Sequence, residues 1–265
     1  MLKTDSWLAA LEQRHLADLT RSELTRALRA LSSCYIERRE KLAGGAALDG
    51  AGKRAAFALF YGPLHFFTVK AIVRAIDGKP PRTIHDLGCG TGVGGAAWAI
   101  HCEGTPAITG IDRNAWAIAE ANRTYAELGL RGRAQTGDLL TRFPARSIPQ
   151  LPDPPITQLP DSQITKSPDA ILLAYAVNEL PDFQRDALLP KVAEAVARGT
   201  QLLIVEPIAK RDRPWWPAWA AALTALGARE DEWRFQADLP PMQRQIAKSA
   251  GLDPRELTAR TLHKP

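Results

Sequence analysis

The sequence predicts a doubly wound α/β protein: a seven-stranded, mostly parallel sheet with helices on both faces, preceded by a helical segment. Three observations carry that reading. From Pro81 onward, short apolar runs alternate with helical stretches, the pattern of a parallel sheet built from strand–helix–strand units. One junction, TIHDLGCGTGVGGAAWAI from Thr83 to Ile100, passes from an apolar strand through Asp86 into Gly88, Gly90 and Gly92 and then into an alanine-rich helix. Ahead of it the apolar residues recur only at helical spacing. The boundary falls at residue 80, giving a helical, basic segment over 1–80 and a sheet domain over 81–265 with a proline-rich insertion at 141–168.

Within the first segment, Leu8, Leu11, Leu19, Leu24, Leu28 and Leu31 recur at helical spacing, with arginines on the remaining faces. Thr20 or Ser22 caps the second helix, and Gly44–Gly45 ends it. A third helix runs from about Arg54 to Ile76, with Pro63 kinking or breaking it. Being apolar on most faces, it must pack against the body. Tyr61 and His65, four apart, share a face; they are either a buried pair or part of the mouth of a site.

In the sheet domain, AITGID over 107–112 is a second strand, and Ala115–Leu128 is the helix after it. RGRAQTGDLL over 131–140 is a third strand and its exit. Seven prolines in residues 141–168 exclude a regular helix or inner strand and predict an extended insertion. DAILLAYAVNELP over 169–181 is the fourth strand, leaving the sheet at Asn178–Glu179. Helix Asp182–Ala197 leads to QLLIVEP over 201–207, the fifth strand, which ends at the same rim with Glu206. Trp215, Trp216 and Trp219 beside Arg211 and Arg213 either stack on bases or dock a helix on the body. A last helix and a strand, ELTARTL, close the sheet.

Glycine lets the backbone take positive φ and approach a ligand closely, and the helix behind it offers unpaired N–H groups. Asp86 either accepts from a cationic amino group or holds the turn. Asp112, about 20 residues further at the tip of the second strand, is where a doubly wound fold presents a carboxylate to ribose hydroxyls. Cys89 reads as a small filler in the turn. In such sheets ligands lie beyond the carboxyl ends of the strands, so Asn178 and Glu179 face the reaction zone.

The order D-x-G-x-G-x-G, with the acid ahead of the first glycine, resembles the first motif of class I S-adenosylmethionine (SAM)-dependent methyltransferases, which have a Rossmann-like fold. That resemblance implies SAM as cofactor, with Asp86, Gly88, Cys89, Gly90 and Gly92 around its methionine part and Asp112 on its ribose. It also implies Asp138 at the adenine amino group, unless Asp138 caps a turn. Asn178 and Glu179 then orient the acceptor, with Glu179 as proton acceptor. The (N/D/S)-P-P-(Y/F) tetrad of many amine methyltransferases is replaced here by NELP. KRAAFALFYGPLHF, DLGCGTGVGGAAWA, AYAVNELP and LLIVEP together resemble the bacterial branch of the methyltransferase-like family associated with the mitochondrial small ribosomal subunit. Mitochondrial members hold an iron–sulfur cluster on cysteines; with only Cys34, Cys89 and Cys102, this chain has no four-cysteine site. The resemblance implies small-subunit ribosomal RNA as partner and a role in ribosome assembly.

Charge points the same way. The net charge is +5, and residues 1–80 hold 13 basic against 8 acidic residues, so the whole excess lies ahead of the glycine turn, as for a segment facing a polyanion or an arginine-rich solvated face. Composition is that of a globular protein, with 45% hydrophobic and 24% charged residues. No signal-peptide core precedes the domain, no membrane span or metal site is expected, and a cytoplasmic location follows. Three functions remain open: a SAM-dependent RNA methyltransferase, a non-catalytic assembly factor on the same fold, and a small-molecule methyltransferase with a helical lid.

Overall fold

A computed structural model describes residues 3–17, 19–37, 48–144, 168–208, 214–252 and 255–265. The helices are α1 (Lys3–His15), α2 (Arg21–Glu37), α3 (Ala51–Ala56), α4 (Gly62–Ala75), α5 (Val93–His101), α6 (Ala115–Glu127), α7 (Asp182–Ala197), α8 (Trp216–Thr224) and α9 (Pro241–Ala250). The strands are β1 (Thr83–Leu87), β2 (Ala107–Asp112), β3 (Gly132–Thr136), β4 (Ala170–Ala174), β5 (Gln201–Glu206), β6 (Arg229–Gln236) and β7 (Glu256–Lys264). They form one seven-stranded sheet in the order β3-β2-β1-β4-β5-β7-β6. β1 to β5 are parallel; β7 runs antiparallel to β5 and to β6.

The alternation of side chains along a strand explains the two apolar layers. In β4, Ala170 and Leu172 join the core under α4, α5, α6 and α9, while Ile171 and Leu173 join the one under α7 and α8. Both layers are buried, so the central strands read as continuous apolar runs. Trp7, Leu24, Leu28 and Leu31 of the first two helices belong to the same core as Ile84 and Leu172. The basic helices are thus packed into the body of the sheet.

Thr20, not Ser22, caps α2. Its hydroxyl accepts from the Glu23 N–H (3.3 Å) while the Glu23 carboxylate accepts from the Thr20 N–H (2.8 Å), a reciprocal capping box. Pro63 does not break its helix. A five-residue π-helical turn, Phe57–Tyr61, lies between α3 and α4, and the run stays continuous. The bond that Pro63 is unable to donate is replaced, because the Leu59 carbonyl accepts from the buried Gln243 side chain of α9 at 3.2 Å. By length and composition Ala51–Ala75 matches a membrane span, but 67% of its most apolar window is buried within the protein, which makes it a core helix.

At the end of the chain one expectation changes and one open choice is resolved. ELTARTL does not close the sheet: β7 lies inside it, and the edge is β6, which the sequence reading missed. REDEWRFQ is charged at five of its eight positions, and charges on an edge protect against further pairing. The tryptophans dock a helix. Trp216 and Trp219 are buried, the Trp216 indole donates to Glu230 (2.7 Å), and the cation over its ring is Arg260 at 4.2 Å. Arg211, Arg213, Gly44–Gly45 and most of the proline-rich insertion lie outside the described residues, as does the side chain of Cys34.

Candidate active site

The glycine turn is built on the tip of β2. The N–H groups of Gly88 and Cys89 both donate to the Ile111 carbonyl, at 2.8 and 3.0 Å. Gly88 has φ +74°, and a Cβ there would lie 2.6 Å from that of Ala176, so only glycine fits. Gly90, with φ +52°, differs: a Cβ there would meet nothing within 4 Å, because that direction opens into a cavity of about 360 Å³. Gly92 is the N-cap of α5 in the left-handed conformation.

Asp112 ties the turn together. One carboxylate oxygen accepts from the Gly90 N–H (2.9 Å) and the other from the Asn114 N–H (2.8 Å), and Asn114 in turn caps α6. Each oxygen keeps a lone pair for a further donor, and Asp112 lines the cavity. Asp86 is buried and accepts from the Gly95 N–H in the first turn of α5 (2.9 Å), so it holds the turn as one of its two expected roles. Burial raises its carboxyl to about 7; the Gly95 N–H opposes the rise and the charge of Asp112 adds to it. Cys89 is a buried filler whose thiol is raised well above its usual range, chiefly by burial.

Asp138 takes the turn-capping alternative. Its carboxylate accepts from the Leu140 N–H (2.9 Å), and the cavity wall there is made by Gly137 and Leu139. Leu139 and Ile111 give this end of the cavity an apolar surface. Thr91 also lines the cavity, and its buried hydroxyl has no hydrogen-bond partner among the described residues.

The opposite wall is aromatic. His65 from α4 stacks on Tyr175 at 3.8 Å and 14°, with Phe57 edge-on to His65 at 6.2 Å. Burial lowers His65 to about 3, so the ring is neutral at physiological pH. Tyr175 follows β4 with φ +59°, rare for a tyrosine, and is fixed by its N–H to the Val205 carbonyl (2.8 Å) and its hydroxyl on Thr68. Of the expected pair, His65 lines the cavity while the Tyr61 hydroxyl bonds Ser32. Phe57, Tyr175, Leu48, Thr91 and Arg113 are wall residues that sequence reasoning missed. Nothing in the sequence marks the backbone turn at Tyr175.

A 3-10 turn, Val177–Glu179, carries the polar residues after β4. Glu179 lines the cavity, whereas Asn178 is engaged through its backbone N–H with the buried Glu206 carboxylate at the tip of β5 (3.0 Å). Loss of hydration raises the Glu179 carboxyl; the charges of Glu206 and then Asp112 add to this and Arg113 opposes it. Much of the Glu179 surface still reaches solvent at the cavity mouth, which moderates the rise without changing its direction.

The geometry suits SAM: a backbone cradle at Gly90 without side-chain obstruction, a carboxylate at the β2 tip and an apolar wall face one cavity. Comparison with known proteins agrees. Residues 68–175 match the model of the methyltransferase small domain family, a stretch holding β1, β2, β3, β4 and the glycine turn. Among solved structures, an O-methyltransferase family protein from Burkholderia thailandensis is 15% identical with a TM-score of 0.50, the alignment covering 82% of this chain and 60% of that one. The mitomycin 7-O-methyltransferase MmcR is 17% identical with a TM-score of 0.51, covering 97% and 71%. No curated protein sequence matches the chain. These two likenesses show the fold. With the matched domain and the cavity, the class is defined: a SAM-dependent methyltransferase.

Proposed function

We propose that the chain methylates RNA of the small ribosomal subunit, with Glu179 receiving the proton that the acceptor loses. The observation that carries the reading is that one cavity joins the glycine cradle, Asp112 and Glu179. When bound, SAM supplies a methyl group on a sulfonium, ready for in-line displacement. Gly88, Gly90 and Asp86 would hold its methionine part, Asp112 its ribose, and Ile111 with Leu139 its adenine. An acceptor nitrogen or oxygen would gain the methyl carbon as the sulfonium's carbon–sulfur bond breaks, and Glu179 would take the one proton released. Alignment of the acceptor with the methyl group would supply most of the acceleration. Support for RNA comes from the net positive charge, whose whole excess lies in residues 1–80, with Arg21, Arg26 and Arg29 exposed on α2, and from the family resemblance.

A second reading, a small-molecule acceptor, has its own observation. Leu48, Phe57 and His65, all from the N-terminal segment, form cavity walls, as expected of a lid over a small substrate. Transfer of label from tritiated SAM separates the readings. The RNA reading predicts label in small-subunit RNA; label only in a metabolite extract selects the small-molecule reading. Bound SAM without label in any acceptor contradicts both and leaves a non-catalytic assembly factor.

A further inference from the structure

The wall of the cavity is acidic. Asp86, Asp112 and Glu179 line it and His65 is a neutral ring, so Arg113 is the one cation on the wall among the described residues. Its side chain is 51% exposed, with the guanidinium 4.0 Å from the Asp138 carboxylate in the loop that leaves β3. A second arginine reaches the same loop. Gly137 lines the cavity, and a Cβ there would lie 2.7 Å from Cγ of Arg142 and 3.5 Å from its Nε, so the bare glycine lets the exposed Arg142 side chain lie across the loop. We propose, building on the reading of RNA as acceptor, that Arg113 and Arg142 form a phosphate clamp: they grip the backbone of the strand at the rim while the base of the target nucleotide enters the cavity toward Glu179.

Charge decides this division of the nucleotide. Carboxylates inside the cavity disfavour an anion there, and the two guanidiniums attract it to the rim. Asp138 is their counter-charge, but its Oδ1 is already engaged, accepting from the Leu140 N–H (2.9 Å) and more loosely from the Thr141 N–H (3.4 Å). Its contact with Arg113 is long and open to solvent, the kind of pair that contributes little and yields readily to a better acceptor. Two arginines against one aspartate leave the loop a net positive charge. Guanidinium suits the task, because its planar fork donates two parallel N–H bonds to phosphate oxygens and keeps its charge at any physiological pH. Phosphate contacts fix register and carry no sequence information. The target must also be unpaired or flipped out, since a base within a duplex does not reach an enclosed site.

Fluorescence anisotropy of labelled small-subunit ribosomal RNA, with wild type and with the Arg113→Ala, Arg142→Ala double variant, reads the clamp directly. Over about 50 to 200 mM salt, the double variant is expected to raise Kd about tenfold at the lowest salt and to lower the slope of log Kd against log salt by about 0.7 or more, the single-strand value for one phosphate. Replacing both arginines by lysine keeps the charge and removes the fork, so the slope is retained while affinity falls in part. A strand held across the mouth also slows release of labelled SAM from wild type; the double variant loses that effect, while SAM alone binds it as it binds the wild type. Equal Kd and slope in wild type and double variant overturn the clamp, and label still reaching the RNA then leaves the RNA reading standing without it. Weaker SAM binding with unchanged RNA binding assigns the arginines to the cofactor and likewise overturns the clamp. Absence of RNA binding by the wild type overturns the clamp and the RNA reading together.

Discussion

Asp86 illustrates how a buried acid serves a turn at a cost that depends on pH. Its folded carboxyl titrates near 7, above the ordinary value of 3.8, so the folded state binds the proton more tightly. The stability this gives is complete below about pH 4 and is lost as pH rises toward 7. Asp86→Asn, whose amide oxygen still accepts from Gly95, is expected to flatten that dependence: Tm measured at pH 5 and pH 8 should differ less than in the wild type. The glycines and Asp112 were legible in the sequence because their backbone demands exclude other residues. Asp138 was not, since an aspartate after a glycine serves a cap or a ligand equally well until Leu140 and Gly137 are seen. Tyr175 and its stacking on His65 depend on a left-handed residue that only the meeting of β4, α4 and β5 dictates.

At the level of elements, the apolar strands and the glycine turn were readable as far as β5, because burial on both faces leaves a continuous apolar run. The antiparallel end was harder. β6 carries five charges in eight residues, and its strand character comes from pairing with β7 along its whole length. Pro63 likewise has a meaning that requires its partner: the helix survives because the π-turn and Gln243 satisfy the backbone that proline disrupts. Replacing Gln243 by methionine leaves the Leu59 carbonyl buried without that donor, at a cost of about 1–3 kcal/mol in denaturant unfolding. A cost below a few tenths of a kcal/mol removes this account of the uninterrupted helix.

For the whole molecule, the question is what binds the N-terminal helices to the sheet. Beyond the shared core, Glu120 of α6 is buried and receives Arg14 (3.1 Å) and His15 (3.1 Å) from α1 and Arg123 (2.6 Å) from its own helix. Burial alone would raise this carboxyl, but the three partners outweigh it and bring it to about 2. A depressed carboxyl stabilises the fold above its unfolded value and loses that contribution as pH falls toward 2. Glu120→Gln is expected to cost about 2–3 kcal/mol at pH 7, at the low end for a buried pair because Arg14 and Arg123 reach solvent. Urea unfolding at pH 7 and pH 3 checks both size and direction. This docking brings Leu48, Phe57 and His65 over the glycine turn, so the helices complete the cavity as well as carrying the positive charge. The most direct measurement of the central claim, that SAM lies in this cavity against Gly90 and Asp112, is equilibrium dialysis of labelled SAM against wild type and Asp112→Ala. Saturable binding that weakens more than tenfold in the variant, about 1.4 kcal/mol or more, is the predicted result; no binding to the wild type, or equal binding to both, contradicts it.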